Sequence, residues 1–337
     1  MDPAKALARA TGLSCWPEGV KVEATAALDA SELGLGEGRT NQNFIATAPD
    51  GTRYFVRIGL DLPAFGVTRA KEQAAARAAA AAGIGAAILH TELPDVLVTS
   101  FCKGRALTEE QAHAACGGQD EALLDALCAA IRKLHAAEVP SELLAVVPSG
   151  APRWSPPDLP RWIAGARAGG FSRLPLLDDC DALIEGAEQF ISSVWPAQPL
   201  KFCHFDLLPD NFVVHQPPGG GNFEVTIVDF EYANAGQPLM DLAVLSMGCA
   251  LSASEERRLL ACYLQKESVS DAEAARFVTL KMLATLRETF WGVTAEVSKT
   301  SALSDEAAAA YTDENYAKHV AARKEYEELR ALHGVPA

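Results

Sequence analysis

The stretch HFDLLPDN, His204 to Asn211, decides the fold when it is read with VTIVDFEY, Val225 to Tyr232. Lys201 to Cys203 reads as a short strand running into His204. Phe212 to His215 is apolar and β-branched, PPGGGN supplies turn residues, and Glu224 to Val228 reads as the returning strand. An antiparallel hairpin through that turn sets Asn211, where one strand starts, roughly opposite Asp229, where the other ends. Two oxygen donors therefore meet at one end of a rigid ladder, as a hard, oxygen-seeking cation requires. Asp206 lies in the loop just before, held by Pro209. An H-x-D-x-x-x-x-N run followed by a strand-terminal D-F puts a carboxylate able to accept a hydroxyl proton beside two groups able to hold Mg2+ on ATP.

Upstream, LGLGEGRTNQNF brings Gly34, Gly36 and Gly38 ahead of a strand predicted from Asn43 to Ala48. PDGT turns the chain, and Arg53 to Ile58 returns as the partner strand. Such a loop leaves backbone N–H groups free to approach phosphate, although it lacks the lysine and Ser/Thr of a Walker A loop. From Tyr54 to Ile58 side chains alternate, so Arg57 shares a face with Phe55 and opposes Tyr54, Val56 and Ile58. A cation in an otherwise apolar strand needs a partner. The sequence offers Glu72, in an Ala-rich helix predicted from about Thr68 to Ala82 and ended by Gly83.

Val96 to Phe101 reads as another apolar strand. CKGRALTEE follows, with Thr108 as a helix cap and Glu109 and Glu110 in the first turn, and this change marks a boundary. We expect two units, residues 1–101 and 102–337. From Asp120 to His135 the residues Leu123, Leu124, Leu127, Ile131 and Leu134 recur at helical spacing. Residues 139–160 are rich in Pro and Ser and read as a loop, and the remainder reads as helical. There are no internal repeats.

Composition sets the outer bounds. The 337 residues suffice for about two domains and a sizeable core. A net charge of −15 disfavours nucleic acid as a partner and suits a cationic substrate. Eight cysteines, with no C-x-x-C pair and no zinc-type Cys/His spacing, read as thiols in a reducing compartment. At the N-terminus Asp2 reads as a helix cap and Pro3 as the first helical residue, with no basic region leading an apolar core. No apolar run approaches the ~20 residues that span a bilayer. The expectation is a soluble, cytoplasmic protein without membrane insertion.

The HFDLLPDN, IVDFEY and MDLA stretches resemble the choline and ethanolamine kinases, within the broader aminoglycoside-phosphotransferase-like group. The resemblance continues in GEGRTNQNF, YFVRIG, SFCKGRAL, FWGV and NYAKH, from about Gly34 to Tyr316. It implies an α+β, protein-kinase-like fold of two lobes: a small N-terminal antiparallel sheet and a larger, mainly helical C-terminal lobe. It implies ATP and Mg2+ as cofactors, Asp206 as the catalytic base, and Asn211 and Asp229 as metal ligands. Arg57, braced by Glu72, would contact phosphates, covered by the segment holding Gly36, Gly38, Thr40 and Asn41. Adenine would meet the backbone near Ser100, Phe101 and Cys102. His204 would orient the catalytic loop, and Asp241 would tie that loop to the following helix. Relatives are often dimers, which makes a homodimer an expectation.

The implied reaction is in-line transfer of the γ-phosphoryl of ATP to the hydroxyl of choline, ethanolamine or a related amino alcohol. Choline kinases enclose a trimethylammonium head in aromatic rings. Trp291 and Tyr316 match two of these rings, while Thr294 stands where the family has a second Trp, so the cage is incomplete. Glu231, Tyr232 and Glu288 are further candidates to contact a small amine. The alternatives are an aminoglycoside or other small-molecule phosphotransferase, and a catalytically inactive nucleotide-binding regulator.

Overall fold

The computed structural model describes residues 2–25, 41–144, 154–195 and 198–333. The expected phosphate loop with Gly34, Gly36, Gly38 and Thr40 lies outside the described residues, as do residues 145–153 of the Pro/Ser-rich stretch.

Helix α1 (Pro3–Thr11) begins as expected, with the Asp2 carboxylate accepting from the Lys5 backbone N–H and Pro3 in the first turn. Five antiparallel strands follow: β1 (Lys21–Ala24), β2 (Gln42–Thr47), β3 (Arg53–Ile58), β4 (Ile88–Glu92) and β5 (Val96–Ser100). Their spatial order is β1-β2-β3-β5-β4. Strand alternation divides β3 as its sequence predicts. Val56 and Ile58 join Phe44, Val96, Val98 and the α1 residues Ala6 and Ala10 in a small core, while Phe55 and Arg57 face a cleft. The edge strands β1 and β4 have no counterpart in the sequence reading. Both are short and half-exposed, and such edges carry too few buried positions to stand out as apolar runs.

Helix α2 (Arg69–Ala81) crosses the sheet, with the Thr68 side chain accepting from Lys71 N–H. Its Ala75, Ala76 and Ala79 pack into the large core of the rest of the chain, not into the small one. Alanine-sized contacts let this helix lie close against both bodies. Gly104 carries the chain out of the sheet at φ +110°, where a Cβ would collide with the Val214 carbonyl oxygen. Only glycine allows that crossing.

Two small ribbons form the floor of the cleft. One pairs β6 (Arg105–Ala106) with β8 (Phe212–His215) and β9 (Glu224–Ile227), and the other pairs β7 (Lys201–Cys203) with β10 (Asn234–Gly236). Helices build the remainder: α3 (Glu109–Cys116), α4 (Glu121–Ala136), α5 (Ser141–Leu144), α6 (Leu159–Ala168), α7 (Cys180–Val194), α8 (Pro238–Gly248), α9 (Ala253–Leu264), α10 (Asp271–Ser298) and α11 (Asp305–Leu332). Helix α10 is buried almost all round from Ala275 to Ala295 and packs against α6, α8 and α11. The expected cap Thr108 serves in a full capping box, and Asp120, read as the start of the next helix, caps it instead. The expected loop over 139–160 is corrected at both ends: residues 141–144 are helical and the helix α6 already begins at Leu159, while Trp154 between them is buried. Its apolar side chains find the core despite the surrounding prolines. Among the described residues no helix is long and apolar enough to cross a membrane. The chain thus has an antiparallel sheet lobe and a mainly helical lobe, the α+β, kinase-like architecture.

Candidate active site

The His204–Asn211 stretch is pinned from below by Asp241, in the first turn of α8. Its fully buried carboxylate accepts the backbone N–H groups of His204 and Phe205, both at 2.8 Å. It also accepts His135 Nε2 at 2.9 Å, while His135 Nδ1 meets the Tyr263 hydroxyl at 2.8 Å. These bonds account for the buried His135–Cys203–Asp241 group as a structural knot. His204 Nε2 lies 2.8 Å from the Val228 carbonyl, and its Nδ1 is 3.3 Å from the Asp206 backbone N–H. A neutral ring protonated at Nε2 satisfies both contacts, and burial pushes its pKa below the usual value. His204 therefore ties the loop to the end of β9.

Phe205 and Asp229, on the two sides of this loop, hold left-handed backbone, φ 62° and 63°. For non-glycine residues that costs about 1 kcal/mol each, and it persists only where surroundings over-determine it. For Phe205 the surroundings include Gly236, where any Cβ would strike the Phe205 ring. The hairpin register is Phe212 opposite Ile227, so Asn211 faces Val228 and Asp229 stands one residue beyond. The Val228 N–H donates to the Asn211 carbonyl at 3.0 Å. Asn211 Nδ2 donates to the Asp206 carbonyl at 2.6 Å and lies 3.3 Å from Asp206 Oδ2. Its Oδ1 is thereby turned away from Asp206. Asp206, Asn211 and Asp229 all line one cleft. The Asp206 carboxyl is held well above the usual carboxylate range, first by burial and then by repulsion from Glu288, with Arg287 opposing.

Arg57 pairs with Glu72, as its strand position required, and its Nη1 donates to Asp229 Oδ1 at 2.6 Å. A second arginine, unforeseen in the sequence, doubles the arrangement. Arg69 Nη1 lies 2.6 Å from Glu72 Oε2 and 3.1 Å from Glu231 Oε2, and Asn41 Nδ2 donates to Glu231 at 3.0 Å. These side chains are buried apart from Asp229, whose side chain is 40% exposed to the cleft. Glu231, expected to contact a substrate amine, lines the cleft, and its carboxylate also bonds Arg69 and Asn41. It lies next but one to Asp229, at the same end of the cleft.

Phe55, Ala76, Ile88, Leu97, Val213 and Ile227 make an apolar slot beside Ser100, Phe101 and Cys102. Arg53 lies 4.0 Å above the Phe101 ring. The hinge residues expected to meet adenine are thus brought to the same cleft as Arg57.

At the other end stand Tyr232, Glu288, Trp291 and Tyr311. Trp291 Nε1 donates to the Tyr232 hydroxyl at 2.7 Å, and the Tyr311 hydroxyl donates to the Glu288 carboxylate. The rings of Trp291 and Tyr311 lie 5.0 Å apart in an edge-on pair. Here the sequence reading is corrected again: Tyr316, expected in the acceptor site, packs against the core and does not line the cleft. Five residues turn a helix by about 140° off the Tyr311 face, so the two tyrosines cannot serve one site. The buried stripe Ala308, Thr312, Asn315, His319 was the available signal for the inward face of α11.

The donor set fits a divalent magnesium ion. The Asn211 amide oxygen and the Asp229 carboxylate are hard oxygen donors on one cleft wall, with Asp229 open to solvent.

The chain belongs to the phosphotransferase enzyme family, whose model matches residues 32–277. In fold it is similar to a choline/ethanolamine kinase family protein from Mesorhizobium loti, with 24% identity, 98% of each chain covered and a TM-score of 0.71. The Plasmodium vivax ethanolamine kinase matches with 14% identity over 93% of this chain and 85% of that one, TM-score 0.71. The choline kinase LicA from Streptococcus pneumoniae matches with 19% identity over 87% and 93%, TM-score 0.61. Aminoglycoside-phosphotransferase structures solved with GDP and kanamycin, or with ADP, share the fold, as does LicA with AMP. A comparison with curated protein sequences found no match.

Proposed function

We propose that this phosphotransferase is an ATP-dependent kinase of small amino alcohols such as ethanolamine or choline. The observation that carries the proposal is one continuous cleft. It joins the Ser100–Cys102 hinge, Arg57, the Asp206–Asn211–Asp229 group and the Glu288–Trp291–Tyr311 wall. Nucleotide-bound structures of the same fold support nucleotide binding, which this reading assigns to the hinge end. In this reading residues 1–101 form the nucleotide lobe and residues 102–337 the catalytic and acceptor lobe.

Asp206 accepts the proton of the acceptor hydroxyl, and its raised pKa makes it a stronger base than an ordinary carboxylate. Arg57 neutralises phosphate charge and Glu72 and Asp229 hold it in place. Asn211 and Asp229 would hold Mg2+, which on binding supplies charge stabilisation to the polyphosphate. Glu288 receives the acceptor's ammonium, with Trp291 and Tyr311 excluding water around it.

Magnesium-dependent ADP release, followed with choline, ethanolamine, thiamine, a sugar alcohol and several aminoglycosides, tests the proposal. Stimulation by the small amino alcohols is expected. Stimulation by aminoglycosides alone would move the chain to the antibiotic-modifying branch of the fold. No stimulation by any alcohol would favour a nucleotide-binding regulator.

A further inference from the structure

One cation in the helical lobe has so far appeared only as the charge opposing the raised pKa of Asp206. Arg287, on α10 next to Glu288, is 1% exposed, and its Nε and Nη2 have no hydrogen-bond partner among the described residues. Its nearest carboxylate oxygens are long contacts, Glu288 at 3.5 Å and Asp158 at 3.7 Å. Besides these carboxylate contacts, aromatic rings wall the guanidinium. Its Cζ lies 4.9 Å from the Trp162 ring centroid and 5.2 Å from that of Tyr232. Those rings stand 6.3 Å apart at 86°, two walls of a corner. Two perpendicular ring walls around a cation form the geometry that attracts an onium head. Here the chain fills that corner with its own side chain.

The remaining rings at the acceptor end are committed elsewhere. Trp291 packs on Phe65 at 5.2 Å and on Tyr311 at 5.0 Å, and its indole N–H is held by Tyr232. The group left facing the cleft beside Asp206 is the Glu288 carboxylate, with its Tyr311 partner. A carboxylate binds an ammonium best through charge-assisted N–H···O bonds, which a quaternary nitrogen cannot make. The geometry points to an acceptor whose cationic nitrogen carries at least one N–H, with Arg287 as the specificity-determining residue that closes the site to quaternary ammonium. This inference rests on the amino-alcohol reading and names the substrate class within it.

The test uses the wild-type protein with magnesium and ATP, and compares kcat/KM for ethanolamine, N-methylethanolamine, N,N-dimethylethanolamine and choline. The expected result is a gradual change across the first three and a drop of at least about tenfold at choline, where the last N–H is lost. Choline turned over as well as ethanolamine, or better, overturns the inference while leaving the amino-alcohol reading intact. Failure of all four acceptors alongside turnover of an aminoglycoside overturns that reading, and the inference with it. Two variants then isolate the residue. Arg287→Ala, which empties the corner, raises the choline-to-ethanolamine ratio of kcat/KM by about tenfold or more, whereas Arg287→Met, which refills it, leaves the ratio near wild type. Equal ratios in a folded Arg287→Ala protein and the wild type contradict the assignment. The methylation series on the unaltered chain stands whether or not the variants fold.

Discussion

At the hinge end of the cleft two arginines, Arg57 and Arg69, meet Glu72, Asp229 and Glu231 in short, direct ion pairs. At the other end one arginine, Arg287, makes only long contacts to Glu288 and Asp158 and lies between the ring faces of Trp162 and Tyr232, while Asp206 and Glu288 line the cleft. The first arrangement locks strand, helix and the β8–β9 ribbon together and, in the proposed reading, presents cations to a polyphosphate. The second, in the same reading, offers the Glu288 carboxylate to a cation. The two ends differ in whether their arginines make short, direct ion pairs or are walled mainly by rings.

The contrast breaks most severely at Arg57. Arg57→Ala leaves Glu72 buried beside a single remaining arginine, and removing one partner of a buried pair costs about 3–5 kcal/mol. A guanidinium-chloride midpoint shifted down by that amount, with weakened nucleotide binding, is expected. An unchanged midpoint shows that Arg69 alone suffices and that the two arginines are redundant.

Acid acts on the other end. His319 on α11 lies 3.4 Å from the Thr285 hydroxyl of α10, behind the acceptor wall, and burial brings its pKa down from 6.5 to about 4. A group whose folded pKa is depressed in this way is neutral in the fold and protonates first in the unfolded chain. Its stabilisation is complete above about pH 6.5 and is lost as the pH falls toward 4. At pH 5 the loss is about 2 kcal/mol. Urea unfolding at pH 7.5 and 5.0 should show that loss in the wild type and its absence in His319→Gln. The same pH dependence in both proteins would place the acid sensitivity elsewhere.

The smallest expected effect separates the two tyrosines. Tyr311→Phe removes the hydroxyl that orients Glu288 and should raise the acceptor KM by about tenfold or less, with the ATP KM unchanged. Tyr316→Phe should leave both unchanged. The reverse pattern would restore Tyr316 to the site and remove the present account of α11.

The same contrast separates what could be read from the chain and what could not. The β8–β9 ribbon and its oxygen donors were legible because these donors are close in sequence and fixed by a strand period of two. Even so, the register set Asn211 against Val228, one residue short of Asp229. Arg57 and Glu72 were legible because a charge in an apolar strand demands a partner. Arg69 was not, since an arginine in a helical first turn ordinarily faces solvent. Glu231 looked available to an amine until Arg69 and Asn41 were seen to hold it. The acceptor wall depends on which faces of two long helices meet, and sequence spacing leaves that rotation open. A position matched to a family motif therefore led to Tyr316 in place of Tyr311. Arg287 carried a readable signal, a cation inside a run of α10 buried on all sides, although not what holds it.

The most direct measurement is single-turnover transfer of the γ-phosphoryl group to the best acceptor, comparing wild type with Asp206→Asn at saturating magnesium and ATP. If Asp206 is the base, transfer falls by at least ~10²-fold while nucleotide affinity holds. Transfer within about threefold of wild type, in a folded Asp206→Asn protein, would contradict the account at its centre, since effects that small lie well below those of a lost general base.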